Sequence, residues 1–432
     1  MTRRGRATLA ALAGACGAAL LWLVSLPAPP ATVAAGGPPV EIASVSAPGA
    51  ATRVPEPPRE IFERLPVAEG ELAQFEEAAD REALRVEYTL NPELTRRVFR
   101  VLRRGRVELG HVIVLDPNRG RLLVYASTDV ARFPPTRAYP AASLVKVITA
   151  AAALTRDPRL AARPCRYRGN PYRLTPASID PPKRGPTISL RRALATSNNQ
   201  CFAQLAVHAV GRDALLEAIT RFGWLSAPAP AHAAGVVDAL SDRYQVGRLG
   251  SGLAGGWITP LHAAQLAATL ARGELIAPRW IERVVDGRGR ELPLPPVPAR
   301  RQVLSPEVAA QLRGMLVDTT VSGTARSAFR ASDGRPLLGP VTVAGKTGSL
   351  SGVEPDGRYE WFVGIAPAER PRIAVAVLLV QGDLWWKNAA QIGAEVLQAA
   401  FCSEGECSAA AAARWKRPEG ARLASAAGAS LR

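Results

Sequence analysis

The sequence predicts a single α/β domain over residues 84–402, and three observations lead there. Strand-like apolar runs gather at both ends of that span, helical patterns fill its middle, and no internal repeat divides it. With 432 residues and 47% hydrophobic content, the chain is large enough to bury a sizeable core.

Arg3, Arg4 and Arg6 form a basic flank, residues 1–6, ahead of an uncharged run over residues 7–26. Such a run is about the length that crosses a bilayer core as a helix. The leading positive charge predicts an N-terminus held in the cytoplasm and an exported body. A cleaved signal peptide ending near Val33-Ala34-Ala35 is the competing reading. Residues 27–57 are dense in Pro, Ala and Gly and read as an extended linker. Residues 58–83 form a charged, helix-compatible lead-in with Phe62, Leu65, Leu72 and Phe75 as its apolar positions.

Within the domain, residues 86–90 read as a strand and 92–103 as a helix. Residues 111–115 and 121–126 are two strands joined by Asp116-Pro117-Asn118-Arg119-Gly120, which carries hairpin chemistry. Ser143 to Leu154 is almost wholly apolar and long enough for a buried helix. Helical patterns follow at 188–210, 212–222, 260–272 and 305–317. Val341 to Ala344 reads as a strand running into Gly345-Lys346-Thr347-Gly348. Two more strands, at 360–367 and 373–380, precede a closing helix at 388–401. The tail, residues 408–432, is Ala/Arg-rich and reads as disordered.

The formal net charge is +17, carried almost entirely by arginine. No basic run is interleaved with aromatics, so the excess reads as a solvated surface and not as a nucleic-acid site. Lysines number five: Lys146, Lys183, Lys346, Lys387 and Lys416. Arginine keeps its proton in proteins whereas lysine can be tuned to lose it, so a retained lysine here is a candidate base. None of His111, His208, His232 and His262 sits in a metal-ligand spacing, and there is no G-x-S-x-G elbow, Walker loop or G-x-G-x-x-G. Five cysteines suit an exported protein with one or two disulfides. Cys165 with Cys201 and Cys402 with Cys407 are the candidate pairs, Cys16 being left over. Buried free thiols are the alternative.

Three short motifs carry chemistry. In Ser143-Leu144-Val145-Lys146 a serine and a lysine three apart share one helix face. A serine hydroxyl needs a base to take its proton, and Lys146 can be that base if burial among Val145, Val147 and Ile148 lowers its pKa. In Ser197-Asn198-Asn199 a second hydroxyl can relay a proton to a leaving amine. The Asn199 amide can hold a peptide carbonyl with its NH2 and Lys146 with its oxygen. In Lys346-Thr347-Gly348-Ser349 a cation and a hydroxyl can bind a carboxylate, and Gly348 permits close backbone approach. The N–H groups of Ser349 and Ser143 are candidates for an oxyanion hole. Each motif is weak alone, but all three occur in order, and two of the five lysines fall within them.

With these motifs the chain resembles the penicillin-binding protein transpeptidase family, whose S-x-x-K, S-x-N and K-T-G signatures they match. The resemblance extends to Gly110-His111-Val112-Ile113-Val114-Leu115-Asp116-Pro117, Thr259-Pro260-Leu261, Ser322-Gly323-Thr324-Ala325 and Trp361-Phe362-Val363-Gly364-Ile365-Ala366-Pro367. It implies an antiparallel sheet packed by helices on both faces. It also implies acylation of Ser143 by D-Ala-D-Ala stem peptides of peptidoglycan, then aminolysis or hydrolysis, with β-lactams trapped covalently. Lys146 would be the base, Ser197 the relay, Asn199, Lys346, Thr347 and Gly348 substrate contacts, and Ser349 an oxyanion donor. No cofactor or metal is implied. The expected partners are peptidoglycan stem peptides, the inner membrane as anchor and other cell-wall synthesis proteins, with the catalytic domain in the periplasm. Two departures stand out: Ala141-Ala142 where the family often has Pro-Gly, and Ala271-Arg272-Gly273-Glu274 in place of an ANGG-like stretch. A serine β-lactamase, whose class A members add a deacylating glutamate, is the rival enzyme. Glu217 is the first glutamate after Ser197. A D,D-carboxypeptidase and a non-catalytic β-lactam sensor are the remaining alternatives.

Overall fold

The computed structural model describes residues 57–70, 76–79, 84–381, 386–402 and 407. The expected apolar N-terminal run, the linker up to residue 56 and the tail from 408 lie outside the described residues. Among the described residues no helix is long and apolar enough to cross a membrane.

Five strands build the central sheet: β1 (Leu109–Leu115), β2 (Leu122–Ser127), β3 (Ala344–Val353), β4 (Asp356–Ala366) and β5 (Ile373–Gln381). Their order is β3-β4-β5-β1-β2, with every pairing antiparallel. Chain ends therefore meet in the middle of the sheet, β5 lying beside β1 with Val377 opposite Val112. Both of these strands are apolar on each face, because the sheet is covered on both sides. Ile113, Leu115, Ala376 and Leu378 enter one core, while Val112, Val114, Val375 and Val377 enter the other. That is the period-two alternation of a strand distributed between two helical layers.

The second core is closed by α1 (Pro92–Arg104) and the last helix, Ala389–Phe401. Asn91 caps α1 by accepting from the Leu94 N–H at 2.8 Å, with Pro92 in the first turn, where its missing N–H costs nothing. On the opposite face lie α2 (Val145–Arg156), α3 (Asn199–Gln204), α4 (Pro260–Thr269) and α5 (Pro306–Val321). The helix Ala389–Phe401 is α6. Every residue of α2 from Val145 to Leu154 is buried, and its run of alanines lets neighbouring helices approach closely.

Three expectations are corrected. Among the described residues of the lead-in, only Arg59–Glu63 is helical; Glu76–Ala79 is instead a strand paired with Leu84–Tyr88, which also pairs with Ile281–Val285. Pairing with the neighbouring strand, itself held by the distant Ile281–Val285, overrides local helix propensity there. The helical pattern at 188–210 is broken into Leu190–Ala195, α3 and a π-helical turn at Leu205–Val210. Finally, Lys346-Thr347-Gly348-Ser349 does not follow a strand but lies inside β3, which pairs with β4 along its whole length. Both candidate disulfides are formed: Cys165–Cys201 with Cα atoms 5.7 Å apart, and Cys402–Cys407 at 4.7 Å.

Candidate active site

Ser143 sits in a 3-10 turn, Ala142–Leu144, that leads into α2. Entering that turn requires Ala142 to take a positive φ of 49°. A non-glycine residue there costs about 1–2 kcal/mol, so the surrounding packing must hold it. One turn later, Lys146 points back at the nucleophile, its Nζ 2.8 Å from Ser143 Oγ.

Lys146 has three polar partners. Its Nζ donates to Asn199 Oδ1 at 2.7 Å and to the Ser251 carbonyl, both pure acceptors. These contacts use two N–H groups. The third direction faces Ser143 and carries either a third proton or the lone pair. Lys146 is fully buried, and burial, followed by the nearby Lys346 charge, pushes its amine well below the ordinary lysine range. An amine that has lost a proton there presents a lone pair to Ser143 Oγ, the geometry a base needs beside a nucleophile.

Ser197 lies where the 188–210 pattern breaks. It adopts φ +58°, and Asn198 then caps α3 by accepting from the Cys201 N–H at 3.0 Å. The strained serine turns its hydroxyl toward β3, where Lys346 Nζ donates to Ser197 Oγ at 2.9 Å and to the Thr347 carbonyl at 2.7 Å. Lys346 is fully buried as well, and burial lowers it to about 7. Asn199 spends one N–H on the Tyr172 carbonyl at 2.7 Å, and it also borders the cavity that holds Ser143. Thr347 and Thr324 join hydroxyls at 2.6 Å.

These groups border one cavity of about 500 Å³, lined by Ser143, Ser197, Asn199, Thr347, Gly348 and Ser349 among others. Lys146 and Lys346 stand behind its wall. Strand β3 passes against the nucleophile's turn: a Cβ added at Gly348 would lie 3.3 Å from the Ser143 backbone nitrogen. The Gly348–Ser349 stretch and the Ser143 N–H are thus close neighbours, as a two-donor oxyanion site requires. Trp361 ties β4 to the same turn by donating from Nε1 to the Pro140 carbonyl at 2.8 Å.

Several contributors were not legible in the sequence. Ser251 and Tyr172 act through backbone carbonyls, to which side-chain identity gives no clue. A signal did exist for the first, the glycine-dense stretch Gly250-Ser251-Gly252-Leu253-Ala254-Gly255-Gly256. Gly252 has φ +68°, and a Cβ there would fall 2.0 Å from the Ala142 carbonyl oxygen. Conversely, Glu217 is not near the nucleophile's cavity. It lies on the helix Arg212–Arg221 with its side chain 68% exposed and 3.8 Å from Arg221. Glu217 thus does not line the cavity that holds Ser143, in keeping with its lack of the E-x-x-x-N context usual for a class A deacylating glutamate. None of the four histidines lines the cavity; His111, fully buried against Phe133, is held near 3 by burial.

The penicillin binding protein transpeptidase domain model matches residues 110–400. Peptidoglycan D,D-transpeptidase PbpA of Mycobacterium tuberculosis is 28% identical over 381 residues, covering 77% of this chain and 76% of its own. Peptidoglycan D,D-transpeptidase FtsI of Escherichia coli is 25% identical over 331 residues, covering 70% of this chain and 52% of its own. Among solved structures, M. tuberculosis PBPA aligns with a TM-score of 0.61 at 27% identity, covering 73% of this chain and 82% of that one. Its ceftriaxone acyl-enzyme complex aligns with a TM-score of 0.60 at 26% identity, covering 73% and 80%. The motifs, the antiparallel sheet between helical layers and the span of the match agree, and the chain belongs to the penicillin binding protein transpeptidase domain family.

Proposed function

We propose that this chain is a peptidoglycan D,D-transpeptidase acting through an acyl-Ser143 intermediate on D-Ala-D-Ala stem peptides, and that β-lactams acylate the same serine. The observation that carries this reading is the desolvated amine of Lys146 directed at Ser143 Oγ across 2.8 Å. Lys146 takes the Ser143 proton as Oγ attacks the penultimate carbonyl. Charge that develops on that carbonyl oxygen is met by the N–H groups of Ser143 and Ser349. Ser197, bonded to Lys346, passes a proton to the departing D-alanine. Lys346 and Thr347 receive the terminal carboxylate, Gly348 lets the peptide approach, and Asn199 holds the stem-peptide backbone. In the second half-reaction an acceptor amine attacks the ester and Ser143 is released. The names of the relatives, all peptidoglycan D,D-transpeptidases among PbpA and FtsI, support the same chemistry.

The test is incubation of the ectodomain with a D-Ala-D-Ala stem peptide, with and without an amine acceptor, followed by mass spectrometry. Cross-linked product and a penicillin adduct on Ser143 are expected, both absent in Ser143→Ala. Labelling that survives this substitution would move the nucleophile elsewhere. Hydrolysed product alone would favour a carboxypeptidase, and rapid nitrocefin turnover a β-lactamase.

The anchor belongs to the same proposal. An uncharged run of residues 7–26 behind Arg3, Arg4 and Arg6 supports a single-pass protein of the inner membrane with its catalytic domain in the periplasm. Full-length protein should fractionate with membranes. A mature N-terminus near Gly36 would show instead that the segment is a cleaved signal.

A further inference from the structure

Among the residues lining the cavity, Glu360 is the one carboxylate. It sits on β4 directly opposite Ser349, so the two side chains share a face of the sheet. The residue is only 8% exposed. One oxygen, Oε1, lies 3.3 Å from Arg358 Nε, and Arg358 also donates from Nη2 to Ser349 Oγ at 3.3 Å. The other, Oε2, is buried without a hydrogen-bond partner. A buried carboxylate oxygen left unpaired is costly and calls for an explanation.

Charge narrows the explanation. The transpeptidation proposed above joins a donor ending in a carboxylate to an acceptor that carries an amine. A carboxylate beside Ser349 repels the donor's terminus, whose binding groups are Lys346 and Thr347. The cationic participant at neutral pH is the acceptor's ammonium group. We propose that Glu360 is a specificity residue for the acceptor, its Oε2 receiving the acceptor's primary ammonium beside the acyl-serine. This inference rests on the transpeptidase reading.

The step balances. The ammonium held at Glu360 releases one proton to water. The free amine attacks the acyl carbonyl, a C–N bond forms and the C–Oγ bond of Ser143 breaks. The second amine proton travels through Lys146 to Oγ. Acyl-serine and ammonium become amide, serine and one released proton.

The experiment follows aminolysis against hydrolysis of the acyl-enzyme with two acceptors at neutral pH: Nα-acetyl-lysine amide, a cation, and hydroxylamine, which is neutral. Glu360→Gln should lower the aminolysis-to-hydrolysis ratio for the lysine amide about tenfold, the scale of a lost charge-assisted hydrogen bond. The hydroxylamine ratio and the rate of penicillin acylation should not change, and the latter also reports a folded variant. Glu360→Asp should keep most of the preference. In the unaltered protein, added salt should reduce the lysine-amide ratio and not the hydroxylamine one. Slower acylation with unchanged ratios would overturn the proposal and assign Glu360 to orienting Arg358 on the donor side. Equal loss for both acceptors, or no loss, would also overturn it. If the unaltered protein forms no acyl-enzyme at all, the transpeptidase reading itself falls, an outcome distinct from the others.

Discussion

Lys146 and Lys346 are two buried amines with opposite requirements. In the proposed reaction Lys146 must be neutral to accept the serine proton, whereas Lys346 must be charged to attract a carboxylate. Lys146→Arg should therefore lose activity despite keeping a cation. A roughly hundredfold drop in penicillin acylation, near 3 kcal/mol in the barrier, is expected by stopped-flow fluorescence. The second amine sets a pH limit. Burial lowers Lys346 to about 7, so its positive charge is present below that pH and is lost as pH rises through it. For a stem peptide with a free terminal carboxylate, kcat/KM should fall on the alkaline side of about 7. A donor whose carboxylate is replaced by a carboxamide should show no such fall, and an identical fall for both donors would remove Lys346 from carboxylate binding. At this scale the sequence was most readable. The three-residue spacing of Ser143 and Lys146 has chemical meaning, and lysine scarcity pointed to the two lysines that are buried against Ser143 and Ser197. Contributions made by backbone carbonyls of Ser251 and Tyr172 could not be read, since any residue supplies them. Gly252 is the sequence's trace of the first: Gly252→Ala should abolish labelling by fluorescent penicillin, because the new Cβ would collide with the Ala142 carbonyl.

Among the elements, the loop from Cys165 to Pro186 explains how a segment with little apolar content is ordered. Gln200 on α3 donates from Nε2 to the carbonyls of Arg168 and Asn170, each at 2.8 Å. The same helix is bonded to the loop's start by Cys165–Cys201, and Asn199 reads the Tyr172 carbonyl in between. Helix and loop thus form one unit around the amide that also binds Lys146. Cross-linking residues 36 apart stabilises by about 3–4 kcal/mol in the chain-entropy model. Cys201→Ser should lower the thermal midpoint by several degrees and slow acylation. Dithiothreitol, which also reduces Cys402–Cys407, should lower the midpoint of the unaltered protein by more than it lowers that of the variant. A midpoint insensitive to both changes would show that the loop is held by its hydrogen bonds alone. Helices and strands with a strong period were legible in the sequence, whereas the break at Ser197 was not. Apolar residues resume on both sides of the polar stretch Thr196-Ser197-Asn198-Asn199-Gln200, and the interruption is made there by one strained φ that no periodicity encodes.

For the whole molecule, the α/β character of residues 84–402 followed from where the strand-like runs lay, and the two-faced burial of β1 and β5 accounts for their unbroken apolar sequences. The order β3-β4-β5-β1-β2 was not readable, because long-range pairing leaves no local mark. That order makes β3 the terminal strand, with β4 on one side of it and the nucleophile's cavity beside Gly348. Sheet edges present unpaired main-chain donors and acceptors, and an extended peptide can complete them as an added strand. Recognition of this kind reads amides more than side chains. Replacing a stem-peptide amide alongside β3 by an ester, which removes one N–H, should lower kcat/KM about tenfold. Exchanging a side chain on the same residue should cost less. An enzyme built this way keeps its grip on the polymer's grammar while tolerating changes in its vocabulary, so stem peptides that differ in side chains remain substrates as long as their backbone can lie down as a strand.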